Sequence, residues 1–159
     1  MKVIVDADSC SHRKFIQEEC RKRDIPLHFF CDATHDLNVS YGEVHKVDIS
    51  PESADYAALS FCKDGDIIVT SDYGVVSIAL AKGAECISSG GHVYTDAEIL
   101  GRLTSKHLNN TMRRRKDYKA IKSLKNSRKK EVWQEDFKEQ FILMISRKIT
   151  SDMTKAGGA

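Results

Sequence analysis

The 159-residue sequence contains only two prolines and nine glycines, too few for a collagen-like repeat or a low-complexity disordered chain. It has no run approaching about 18 apolar residues, so no segment reads as a transmembrane helix. The opening MKVIVDADSC turns acidic after four residues and does not read as a signal peptide. There are five cysteines, Cys10, Cys20, Cys31, Cys62 and Cys86. An odd number without CxxC spacing gives neither a disulfide framework nor a structural zinc motif, and reduced thiols in a cytoplasmic protein are expected. The six histidines show no i, i+4 helical pairing, and Cys31 with His35 is a lone pair. Gly90-Gly91 fits neither GxGxxG nor a P-loop, so no dinucleotide or Walker-type site is expected. What is present is ordinary globular composition, 41% hydrophobic and 30% charged, at a length that suits one domain.

A net charge of +2 conceals an asymmetry. From Arg113 to Lys130 ten Lys or Arg stand against one acid, Asp117, a local charge of +9. The remaining residues hold 15 Lys or Arg and 22 acids. An acidic body with a basic segment is a footprint of proteins that touch phosphate polymers. Arg113, Arg114, Arg115 and Lys116 are the candidate backbone contacts. A solvated helix face is the competing explanation.

Lys2–Val5 is a short apolar run of the kind buried on both faces of a parallel sheet. Phe15, Ile16 and Cys20 predict a helix over about 11–23, with Ser11 as cap and Pro26 as stop. Leu27–Cys31 and Glu43–Ile49 read as strands. Ser50-Pro51 looks like a helix start, Ala54, Ala57, Ala58 and Phe61 continue it, and Gly65 stops it. Asp66–Ser71 is the clearest strand, followed by a helix over Tyr73–Lys82 that Gly83 ends. Ala84–Ile87 is a fifth strand, and Thr95-Asp96-Ala97-Glu98 has the capping-box pattern. Strands alternating with helices predict a three-layer α/β domain over residues 1–107, with a mostly parallel sheet covered on both faces. Residues 108–159 read as a basic segment and a helical extension. Val132, Trp133, Phe137, Phe141, Met144, Ile145 and Ile149 give 132–149 an apolar face, to be buried on the body or on a second copy in a homodimer.

In open α/β sheets ligands bind outside the carboxyl ends of the strands. Asp6 and Asp8 follow the first strand there, and Asp72 follows the fourth. Asp55 falls among small residues near its helix start. If the first and fourth strands are neighbours, these four acids share one crevice, and a divalent cation would relieve their repulsion. Mg²⁺ or Mn²⁺ suits an all-oxygen site. Asp6, Asp8, Asp55 and Asp72 are therefore the candidate catalytic and metal-binding residues, with the Thr70 and Ser71 hydroxyls orienting a carboxylate or phosphate. The structural alternative makes Asp8 and Asp72 helix caps.

The V-D-A-D-S-C opening, S-A-D at 53–55, G-D-I-I-V-T-S-D at 65–72, A-K-G-A at 81–84 and H-V-Y-T at 92–95 resemble the bacterial YaiI/YqxD family, from Met1 to about Arg115. The resemblance implies a PIN-like or NYN-like fold. The wider PIN group has similar acids after the first strand, on a middle helix and in a V-T-x-D motif, which here fall on Asp6, Asp55 and Asp72, with Asp8 as accessory. It implies a Mg²⁺- or Mn²⁺-dependent ribonuclease. Two departures stand out: Cys10-Ser11 replaces the family's Cys-Pro, and the Lys-rich run Lys119–Lys130 replaces a Gly/Pro-rich segment. A non-catalytic RNA- or ribosome-binding module is the alternative function. A phosphatase of the haloacid-dehalogenase type, suggested by D-A-D, is a third, although Ser88-Ser89-Gly90-Gly91 lacks its acidic pair.

Overall fold

The computed structural model describes residues 1–48, 53–114 and 136–158, and for 107–114 the backbone only. Among these residues the strands are β1 (Val3–Asp6), β2 (Leu27–Asp32), β3 (Glu43–Val47), β4 (Ile67–Val69) and β5 (Glu85–Ile87). The helices are α1 (Arg13–Lys22), α2 (Ser53–Phe61), α3 (Tyr73–Ala81), α4 (Asp96–Arg114) and α5 (Phe137–Gly157). The strands form one parallel sheet in the order β3-β2-β1-β4-β5. β1 is central: Val3 lies opposite Leu27 on one side and Ile67 on the other. The chain runs from β1 outward through β2 and β3, then returns across the sheet to β4. The order therefore reverses between β1 and β4, which opens a crevice at their carboxyl ends.

Alternation along the strands divides the interior into two layers. Val3, Val5, Leu27, Phe29, Cys31, Ile67, Val69 and Ile87 face α1 and α5. Ile4, Phe30, Ile68 and Cys86 face α2, α3 and the first turn of α4. The continuous apolar strands are thus buried on both faces, the three-layer α/β arrangement expected from the sequence. The helix expected as an extension is part of this fold. Phe137, Phe141, Met144 and Ile145 of α5 are buried in the first layer with Ile16 and Cys20 of α1. The described residues of that apolar face pack on the chain's own body. Truncating Phe141, fully buried, would cost about 3–5 kcal/mol.

Several boundaries differ from the sequence reading. Ser11 does not cap α1: His12 occupies the cap position and makes no side-chain cap bond. Nor does Pro26 stop that helix. Asp24 takes φ 53°, and the Asp24 and Ile25 amides donate back to the Arg21 and Cys20 carbonyls, closing a Schellman motif. Gly83 ends α3 the same way, with φ 86° and the Gly83 and Ala84 amides bonded to Leu80 and Ala79. Thr95 caps α4, its Oγ1 accepting from the Glu98 amide at 3.3 Å. α5 starts at Phe137, where Asp136 accepts from the Lys138 amide at 3.0 Å, and it runs beyond 149. Ile49, Ser50-Pro51, Val132 and Trp133 lie outside the described residues. Among the described residues no helix is long and apolar enough to cross a membrane.

Candidate active site at the carboxyl edge of the sheet

Because β1 and β4 are hydrogen-bonded neighbours, Asp6 and Asp72 emerge side by side. α2 lies over the second face, where Ala58 joins Ile4 and Ile68 in the core. Its small residues carry Asp55 to the same crevice. Asp6, Asp55, Thr70, Ala54 and Ala58 line one small cavity of about 10 Å³, the room of a single water or ion. Asp55 and Asp72 also line an adjoining open cleft of about 180 Å³ with Tyr56, Leu59, Gly74, Val75 and Ile78. Among the described residues, neither lining includes a lysine or arginine.

Burial is the largest influence on Asp6 and pushes its carboxyl above the ordinary aspartate range. The Ser9 hydroxyl, donating to Oδ2 at 2.9 Å, and the Asp8 amide oppose that shift, and the charges of Asp8 and Asp72 add to it. Asp72 caps α3: its Oδ1 accepts from the Gly74 amide at 2.7 Å and the Val75 amide at 3.2 Å. Buried Thr70 accepts from the Asp72 amide through Oγ1 at 3.2 Å. Ser71 instead faces Ser89, with 3.3 Å between the hydroxyls.

Asp8 neither caps α1 nor joins this cavity's lining. Its Oδ1 lies 3.1 Å from His35 Nδ1, which also lies 3.0 Å from Asp32 Oδ1. Asp8 Oδ2 accepts from the Asp32 amide at 3.4 Å. The Thr34 hydroxyl and amide, both donating to Asp32, hold its carboxyl below the usual range. Sequence reasoning passed over Asp32 and His35. The usable signal was positional, since Asp32 ends the strand beside β1, but it needed the strand order. Arg13, also missed, donates through Nη1 to the Ala7 and Cys10 carbonyls at 2.8 and 2.9 Å and so fixes the loop that carries both acids.

Among the described residues, Asp8, Asp32 and His35 form one set whose ligand atoms all lie within 4.8 Å of one another, and His28, Glu43 and His45 form another. Asp6, Asp55 and Asp72 are not such a set. They share a crevice without closing into one tight triad. α4 ends with Arg113 and Arg114, whose side chains lie outside the described residues, as do Arg115, Lys116 and the run to 130.

These features define a parallel α/β protein with an acidic crevice at its strand-order reversal. A family model for the uncharacterized YaiI/YqxD family matches residues 4–147, and the chain belongs to that family. It is similar to a UPF0178 protein of Ruminiclostridium cellulolyticum, 38% identical over 72% of this chain and 74% of the relative. UPF0178 proteins of Clostridium acetobutylicum and Clostridium tetani are 34% and 32% identical over 72% of this chain, covering 77% and 78% of their own lengths. No solved structure matches.

Proposed function

We propose that the protein is a Mg²⁺- or Mn²⁺-dependent phosphodiester hydrolase acting on RNA in the cytoplasm. The observation that carries this reading is the crevice between β1 and β4, where Asp6, Asp55 and Asp72 share adjoining cavities. Asp6 is penalised there by burial and by like charge, a cost that a bound cation removes. The donors are carboxylates with a threonine hydroxyl, which suits a hard ion. A spacing wider than one tight triad suits Mg²⁺, which keeps several of its waters. Asp6, Asp55 and Asp72 would hold the ion, with Asp8 as accessory. When bound, such an ion neutralises charge developing on the phosphate and helps generate the attacking nucleophile.

The chain's own groups prepare this chemistry. Ser9 orients Asp6. Thr70 holds the backbone at Asp72. Tyr56, 67% exposed, borders the acidic cleft and offers a face on which an unpaired base can stack. Arg113, Arg114, Arg115 and Lys116 would supply sequence-independent phosphate contacts.

The test is cleavage of single-stranded RNA with Mn²⁺. Asp72→Asn should abolish it with the circular-dichroism spectrum unchanged, because asparagine also caps a helix. Full cleavage by that variant would sink the proposal. The second reading, a non-catalytic RNA- or ribosome-binding module, draws on the capping bonds already made by Asp72. RNA binding that persists in EDTA, with no RNA cleaved under any metal, would select it.

A further inference from the structure

We propose that His28, His45 and Glu43 form a binding site for a divalent ion of the zinc type, separate from the acidic crevice and clamping edge strand β3 to β2. His28 Nδ1 lies 3.0 Å from His45 Nε2. Glu43 Oε2 lies 3.6 Å from the first nitrogen and 3.8 Å from the second. A hydrogen bond between the rings accounts for two of these three atoms. It does not account for the carboxylate, which stands nearly equidistant from both nitrogens and beyond good hydrogen-bond range of either. The three atoms outline a triangle. With bonds of about 2.0–2.1 Å, tetrahedral zinc sets its ligand atoms about 3.3 Å apart, so the triangle closes around such an ion with small side-chain adjustments.

The backbone prearranges the set. β2 and β3 are parallel, His28 lies opposite Glu43, and His45 lies opposite Phe30. Residues 43 and 45 therefore project to the same face as 28 and 30. Aromatic packing holds the rings: His45 stacks on Phe30 with centroids 4.6 Å apart and planes 11° from parallel. The Phe61 ring meets His28 at 4.5 Å. Burial lowers the proton affinity of His28, against the opposing charge of Glu43. The nearby Lys2 charge is balanced by Asp66, 2.5 Å away. Two imidazoles with one carboxylate favour zinc or cobalt over magnesium. Glu43 is mostly exposed, which leaves a side open for water as fourth ligand. Among the described residues β3 is a sheet edge paired on one side only, the place where a cross-strand clamp adds most.

The test uses the full chain, reduced and stripped with EDTA, with Co²⁺ followed by visible absorption and Zn²⁺ by calorimetry. Wild type should bind one equivalent of Co²⁺ at this site with the bands of a tetrahedral complex and without sulfur-to-cobalt charge transfer. His45→Gln should abolish those bands, and Glu43→Gln should weaken binding by at least about tenfold. His35→Gln and Asp72→Asn should leave the bands unchanged. Zn²⁺ should raise the melting temperature of wild type but not of His45→Gln. Absence of binding by wild type, sulfur bands, or unchanged affinity in Glu43→Gln and His45→Gln would overturn the site. If His45→Gln fails to fold, Glu43→Gln, altered on the surface, decides alone. Retained binding in Asp72→Asn separates this outcome from the fate of the nuclease proposal.

Discussion

Asp6 ends β1 and Asp8 follows two residues later, yet the carboxyl edge divides between them. On the β4 side, Asp6 is partly buried against a small cavity shared with Asp55, with no basic side chain among the described residues of its lining. On the β2 side, Asp8 meets His35 and the Asp32 amide at an exposed surface. One carboxylate is left with an electrostatic deficit, and the other already has a partner. A D-x-D spelling therefore does not make its two acids equivalent: neighbouring strands decide which one is buried and which one finds a partner.

The sharpest way to break this comparison is activity. Asp6→Asn should cost more than about 100-fold in Mn²⁺-dependent cleavage, and Asp8→Asn about tenfold; equal losses in rate assays would erase the division. The stability of Asp6→Asn is the next discriminator. Its folded pKa lies above the unfolded value, so its contribution to stability is present below the ordinary aspartate pKa and is lost as pH rises through the raised one. At neutral pH the metal-free Asp6→Asn protein should melt higher than wild type, while Asp8→Asn should show no rise; a lower melting temperature for Asp6→Asn would contradict the assigned burial cost. Asp72 separates capping from charge. Asp72→Ala should lose about 1 kcal/mol in denaturant titrations, and Asp72→Asn much less. The smallest effect belongs to the exposed side, where His35→Gln should shift stability by less than about 0.5 kcal/mol. A larger shift would show that the β2-side cluster is more than a surface ion pair.

Strand and helix types were legible wherever local chemistry is decisive. The apolar runs at 3–5 and 67–69 point to a sheet covered on both faces. Gly83 supplied a left-handed turn that few other residues tolerate. Helix entry was less legible: Ser11 carries a capping side chain but lies one residue outside the turn that needs it. The end of the same helix falls within one residue of the expected one, but by another device: Asp24, not a glycine, adopts the left-handed conformation. For the site, Asp6, Asp55 and Asp72 could be nominated from strand ends and a helix start. Asp32 and His35 could not, because their relation to Asp8 spans 24 and 27 residues of sequence and exists only through the β1–β2 pairing.

Local spacing and side-chain volume thus settled the α/β alternation, the twofold burial of the central strands and the acids at their carboxyl ends, since each depends on neighbours within a few residues. Strand order was beyond their reach: it placed β4 beside β1, gathered His28, Glu43 and His45 across two strands, and turned α5 onto α1. Those pairings join residues far apart along the chain, and they are chosen by the packing of two whole layers on one sheet.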